Sequence, residues 1–319
     1  MNSSDEIQPR GFVSTVLISI VGSFFAGFLW IGRPRLAIIS LVCFLLIFPV
    51  IFWFGMPPLG ANAMGFLQLA VAVFSASIVL PFRRVSRPHG WYSRWYAAIP
   101  LALLVSMFVA LSIRSFIIQP FSSPAGSMAP TLMEGDNFFV YKAAYGYSKQ
   151  SFPLGIIDFE GRVFPAVPTR GDVVVFKARQ GQVYVKRIIG MPGETIQMRD
   201  GVVYINGEAV RQNVTDEAAD PDEGPDAKIV VEILPNGMSY KILDVDPNSV
   251  LDNTREYLVP EGEFFMLGDH RDNSNDSRLS LGSIPFENLI GRAERIFANT
   301  NGRAFANRRS LRATSMKGG

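Results

Sequence analysis

Three side chains in this 319-residue chain stand out as candidates for acyl or proton transfer: Ser127, Lys186 and His270. Ser127 sits in Pro124-Ala125-Gly126-Ser127-Met128-Ala129-Pro130-Thr131-Leu132, a stretch with two prolines and no regular apolar period. Such a stiff loop can hold one hydroxyl toward a cleft. A serine hydroxyl is a weak nucleophile until a base takes its proton, and two bases compete for that role. His270, with Asp269 or Asp272 beside it, would complete a Ser-His-Asp arrangement. Lys186 is the alternative. In Val183-Tyr184-Val185-Lys186-Arg187-Ile188-Ile189, strand alternation puts Tyr184, Lys186 and Ile188 on one face. A lysine there is poorly solvated, which favours its neutral form. To act as a base near neutral pH its pKa must fall by about two to three pH units from about 10.4, roughly 3–4 kcal/mol supplied by the fold. The plainer readings are a turn serine and a strand lysine snorkelling from a sheet edge.

The elements that must position these residues divide the chain in two. With 48% hydrophobic and 18% charged residues the chain is too oily to be soluble throughout. Residues 1–114 carry eight arginines against Asp5 and Glu6, a net +6, and residues 115–319 carry a net −4. Four stretches predict transmembrane helices: Phe12–Trp30, Leu36–Phe54, Phe66–Phe82 and Tyr96–Ile113, each 17 to 19 residues long. Arg33 and Arg35 follow the first, Gly55–Gly65 after the second is uncharged, and Arg83, Arg84, Arg87 and Arg94 follow the third. Basic connections stay in the cytoplasm, so everything after Ile113 is expected outside. The acids near the N-terminus and the three later spans make the first span a retained anchor rather than a cleaved leader. His89 falls in the third connection, on the cytoplasmic side, out of reach of Ser127. One cysteine, Cys43, and two histidines exclude a disulfide framework and a cysteine-rich zinc site. The arginines lie between oily runs rather than on one face, which speaks against nucleic-acid binding.

After Phe116 the pattern changes to short alternating segments broken by Gly, Pro, Asn and Asp, a β signature. Predicted strands are Asn137–Lys142, Asp172–Ala178, Val183–Ile189, Glu194–Arg199, Val202–Ile205, Ile229–Leu234, Met238–Leu243, Glu256–Val259, Phe264–Leu267 and Arg292–Phe297. Arg199-Asp200-Gly201 and Pro235-Asn236-Gly237 are turn signals. Asp216–Asp226, with six acids and two prolines, reads as a solvated loop. The basic segment after Phe297 reads as a disordered tail able to rest on anionic lipid.

Taken together, four blocks resemble the type I signal peptidases, membrane-bound serine proteases that remove signal peptides from exported proteins. Ser127–Asp136 (SMAPTLMEGD), Arg170–Lys177 (RGDVVVFK), Val185–Glu194 (VKRIIGMPGE) and Gly268–Arg278 (GDHRDNSNDSR) occur in that family's order. The resemblance covers about residues 116–298. It implies that Ser127 attacks the scissile carbonyl and Lys186 takes its proton, with Ser274 orienting the lysine. It also implies an Asp276–Arg278 ion pair under the site, on one side of an extended strand, and space left by Gly268 beside the lysine. Phe121, Pro124, Met128, Leu132, Tyr184 and Val185 match positions that line shallow pockets for small residues in an Ala-X-Ala-like substrate.

The expected organisation is a membrane region over 1–114 and an exported, mostly antiparallel β peptidase domain over 115–298. A second β region is inserted at 194–259, and a basic tail fills 299–319. The resemblance implies no cofactor and no metal. Its partners are precursor proteins bearing signal peptides, the lipid bilayer and the protein export machinery, with no nucleic acid, and its location is the bacterial inner membrane. Phe116-Ile117-Ile118 and Phe121 are candidates for an apolar face dipping into the outer leaflet. The chain departs from the family at Ala125, where a Ser or Thr hydroxyl usually serves as second oxyanion donor beside the nucleophile's own N–H. Four spans also exceed the family's usual one or two. A catalytically silent signal-peptide-binding scaffold of the same fold is the alternative function.

Overall fold

The computed structural model describes residues 10–43, 73–84, 90–152, 158–220, 223–302, 310–311 and 314–315. The chain divides into two units, Met1–Ser112 and Ile113–Gly319. The described residues of the first unit form apolar helices: α1 (Phe12–Trp30), α2 (Pro34–Cys43), α3 (Val73–Phe82) and α4 (Trp95–Phe116), the last running on into the second unit. α1 coincides with the first predicted span. Among the described residues α4 is the one helix long and apolar enough to cross a membrane by length and composition. Its Leu103, Leu104, Met107 and Phe108 are more than half exposed, which suits contact with lipid. The second and third predicted spans are described only in part, and Gly55–Gly65, Arg87 and His89 lie outside the described residues.

The second unit is built on antiparallel strands: β1 (Ile118–Ser122), β2 (Asp136–Tyr141), β3 (Val173–Lys177), β4 (Val183–Gly190), β5 (Thr195–Arg199), β6 (Val202–Ile205), β7 (Glu208–Ala209), β8 (Arg211–Ala218), β9 (Lys228–Ile233), β10 (Met238–Asp244), β11 (Tyr257–Leu258), β12 (Glu263–Leu267), β13 (Ile284–Pro285), β14 (Leu289–Asn299) and β15 (Thr314–Ser315). Seven of them form a sheet in the order β1-β2-β14-β3-β4-β12-β13. β3 is buried on both faces, as its unbroken apolar run requires. Val173 and Val175 pack with Met128 and Phe138, while Val174 and Phe176 pack with Tyr145, Ile188 and Met266.

β4 and β12 are paired, and β5 to β11 lie between them in the chain. Those strands, with β15, make two four-stranded sheets, β11-β5-β6-β7 and β15-β10-β9-β8. They share a core with the main sheet, since Ile196, Val203 and Ile242 pack in one cluster with Ile189 and Phe265. The Asp200-Gly201 turn forms as expected: both residues have positive φ, 47° and 74°, and join β5 to β6 across the Arg199–Val202 pair.

Several elements differ from the sequence reading. β1 was not predicted; it contains Pro120, which a sheet tolerates on an edge, and β1 pairs with β2 alone. β8 runs through Asp216 to Ala218, so the acidic stretch starts as an edge strand rather than a loop. The segment after Phe297 is not structureless at its described residues. β14 extends to Asn299, Leu311 is buried with Phe138 and Ile296, and β15 pairs with β10.

Candidate active site

Ser127 lies on the loop from β1 to β2, and that loop is fastened at both ends. Ser123 N–H donates to Asp136 O at 2.8 Å and Gly135 N–H to Ser123 O at 2.9 Å. Within it Ala129 N–H donates to Gly126 O, and Leu132 N–H to Met128 O. Met128 and Leu132 are fully buried, so the residues after the serine anchor its backbone in the core. Ser127 itself stays half-buried at the surface.

β4 brings Lys186 opposite Val174 of β3, and its Nζ is hydrogen-bonded to Ser127 Oγ at 2.5 Å. Lys186 is 2% exposed. Burial pushes its pKa down to about 8; the carboxylates of Asp276 and Asp269 oppose this, and the guanidinium of Arg278 assists it. Hydroxyl and amine are thus within proton-transfer distance, and the lowered pKa raises the neutral fraction of the amine near physiological pH.

Gly268 is required at its position, because a Cβ there would lie 2.2 Å from Ser274 Oγ and 2.6 Å from Ser127 O. Its N–H donates to Asp276 Oδ2. Asp276 and Arg278, both with fully buried side chains, form a bidentate pair with bonds of 2.9 and 3.0 Å. The pair sits in a turn closed by Leu279 N–H on Asp276 O, not on the extended strand expected, because Asp276 must face Gly268 N–H and Arg278 at once. Ser274 is buried close to Gly268, but its hydroxyl makes no hydrogen bond to Lys186 or to any other described residue.

His270 does not meet the serine through its ring. Nε2 lies 3.2 Å from Glu223 Oε2, Nδ1 accepts Asn273 N–H, and only the backbone N–H reaches Ser127, at its carbonyl oxygen. Asp269 is committed to Arg187 and to the Thr131 hydroxyl, and Asp272 to the N–H groups of Val245 and Asp246. The geometry therefore gives no Ser-His-Asp triad.

Of the residues expected to line substrate pockets, Phe121, Met128, Leu132 and Val185 share one apolar cluster beside the serine loop. Pro124 is exposed, and Tyr184 packs in a different cluster, stacked on Phe176. The hydroxyls nearest Ala125 in sequence are spent: Ser123 Oγ donates to Ala125 O at 3.0 Å and Ser122 Oγ to Asn137 Oδ1 at 2.6 Å. The Ser127 N–H makes no hydrogen bond to any described residue and is free to serve an oxyanion. Sequence reasoning missed Arg187 and Thr131, which fix Asp269; the only available signal was the position of Arg187 directly after the lysine.

Comparison with known proteins defines the class. A family model described as signal peptidase, peptidase S26 matches residues 94–298, and the chain belongs to that family. It is a serine endopeptidase of the signal peptidase I type, as the four blocks implied. Signal peptidase I of Rickettsia bellii (strain OSU 85-389) is 40% identical over 211 residues, covering 62% of this chain and 72% of that relative. The Rickettsia typhi signal peptidase I is 43% identical over 204 residues, covering 60% and 76%. A solved signal peptidase I from Enterococcus faecalis is 29% identical, with a TM-score of 0.26, covering 40% of this chain and 97% of that one.

Proposed function

We propose that this chain removes N-terminal signal peptides from exported proteins by a Ser-Lys mechanism. The observation that carries the reading is the 2.5 Å contact between Ser127 Oγ and the buried amine of Lys186. Lys186 takes the hydroxyl proton as Ser127 attacks the scissile carbonyl, and the resulting oxyanion is met by the Ser127 N–H. The protonated lysine then passes its proton to the leaving amine, leaving an ester on Ser127. A water deprotonated by Lys186 hydrolyses that ester and frees the mature protein's partner, the signal peptide. Asp276, paired with Arg278, holds the backbone N–H of Gly268, which keeps space beside the lysine. Phe121 and Val185, partly buried against the core residues Met128 and Leu132, offer a shallow apolar surface suited to small side chains, so cleavage after Ala-X-Ala-like sequences fits, with Pro124 at the rim and Tyr184 contributing from the neighbouring cluster.

The arginine counts of the helix connections support a multi-pass anchor with the β unit on the extracytoplasmic side, and the position of β5 to β11 in the chain between the paired strands β4 and β12 supports 194–259 as an inserted subdomain. Phe116 and Ile117, nearly half exposed where α4 meets β1, are suited to dip into the outer leaflet, which would bring the site to a membrane-embedded precursor near the export machinery. Detergent-solubilised protein incubated with a labelled precursor should yield the mature product, and Ser127→Ala should not. In sealed spheroplasts, added protease should digest the region after Ile113 and spare Arg83–Arg94; a protected β unit would reverse the orientation.

A further inference from the structure

Behind the site lies a third buried ion pair that the serine and lysine do not themselves require. Glu232 of β9, fully buried, receives both terminal nitrogens of Arg271. The Tyr240 hydroxyl of β10 donates to the same carboxylate at 2.5 Å, and Gln212 Nε2 of β8 donates to it at 2.9 Å. Three of the four strands of one sheet, β8, β9 and β10, therefore converge on a single carboxylate. Tyr240 also supports the Arg187–Asp269 pair: the guanidinium of Arg187 lies 4.1 Å over its ring.

The same sheet grips the backbone between those two pairs. Leu243 N–H donates to Asp269 O at 2.8 Å, and Arg271 N–H donates to Leu243 O at 2.9 Å. Between them, His270 N–H holds the carbonyl of Ser127 at 3.3 Å. On the far side Arg278 Nη2 holds Arg271 O at 2.5 Å. The segment 269–271 is thus clamped on one side by β8–β10 and on the other touches the nucleophile's own peptide unit.

We propose that Glu232 is a positioning residue for the hydrolysis: acting through Arg271 and with Tyr240, it locks segment 269–271 so that Ser127 is held in register with Lys186. The proposal rests on the Ser127–Lys186 reading above. Stability alone is a weak reason for this arrangement, because a buried ion pair is often matched or bettered by apolar side chains of similar volume. A fully satisfied polar network, by contrast, fixes one geometry.

The test uses the full chain in detergent and measures kcat and KM on a labelled precursor together with thermal unfolding. The variants are Glu232→Gln, Tyr240→Phe and the apolar double replacement Glu232→Leu with Arg271→Met. Glu232→Gln should lower kcat by roughly 10- to 100-fold with KM within about twofold, since small misplacements of reacting groups cost on that scale. Tyr240→Phe keeps the ring under Arg187 and loses only the hydroxyl; its kcat should fall about threefold to tenfold. The double variant should unfold near the wild-type temperature yet stay as slow as Glu232→Gln. Wild-type kcat in a stably folded double variant would overturn the proposal. So would wild-type kcat in Tyr240→Phe, which decides the matter if the other variants do not fold. Lys186→Met, run in parallel, separates the two claims: its activity tests the dyad, and the Glu232 and Tyr240 variants test the clamp.

Discussion

Two lysines in the β unit are near twins by burial and unlike in surroundings. Lys142 and Lys186 are each 2% exposed, and burial pushes each down to about 8. Arg114 adds to the effect at Lys142, Arg278 at Lys186. Lys186 meets a hydroxyl on a half-buried loop, whereas Lys142 Nζ donates to the backbone carbonyl of Ser151. A carbonyl has no proton to surrender, so Lys142 pins the end of β2 to the turn at Lys149–Ser151 rather than activating a nucleophile. The hydroxyls of Ser148 and Ser151 nearby cap that turn, accepting from Gln150 N–H and Ser148 N–H. A lowered pKa therefore marks a buried amine, and the partner decides whether the amine is a base.

The sharpest separation of the two regions comes from removing each amine. Lys186→Met and Ser127→Ala should each abolish precursor cleavage, and the double variant should be no worse, because either change removes half of one proton-transfer unit. Lys186→Met should at the same time raise the unfolding temperature measured at pH 7. The fold holds the ammonium form down by roughly 3 kcal/mol, a cost present in full below about pH 8 and relieved as pH rises toward 10.5. A Lys186→Met protein that is active, or clearly less stable, contradicts this account.

The next effect concerns Ala125. Its side chain has nothing to donate to an oxyanion, and Ser123 and Ser122 are committed elsewhere. One missing oxyanion donor costs on the order of 10²–10³ in turnover. Ala125→Ser should raise kcat at least about tenfold with little change in KM, since the added bond forms mainly in the transition state. An unchanged rate combined with a large loss in Ser123→Ala would identify Ser123 as the donor instead. If neither variant nor wild type cleaves any precursor, the silent-scaffold reading gains.

The smallest effect is expected at His270, whose ring faces Glu223. His270→Asn keeps the backbone N–H on Ser127 O and should retain most activity; a drop on the order of a thousandfold would revive a histidine base.

The strands with dense β-branched or alternating sequence, such as Val173–Lys177 and Val202–Ile205, were legible because burial on a pleated face writes itself into residue type. β1 and β8 were not, because edge strands need no alternation: one carries Pro120, and the other is polar along most of its length. β15 has two residues and is specified wholly by its partner β10. Ser127 and Lys186 were legible as candidates, but their meeting across 59 residues was implied only by the family blocks. The charge network was hidden for the same reason. Nothing local in Glu232 or Tyr240 points to Arg271, and an acid in a strand ordinarily faces solvent.

The most direct measurement is the initial rate of precursor cleavage from about pH 6 to about pH 10, compared among wild type, Lys142→Met and Lys186→Met. With Lys186 as the proposed base the neutral amine is the active form, so the wild-type rate should rise with pH through a midpoint near 8. Lys142→Met should keep that midpoint, and Lys186→Met should show no cleavage at any pH. Cleavage by Lys186→Met, or a midpoint near about 6.5 that vanishes in His270→Asn, would contradict the assignment of Lys186 as the base.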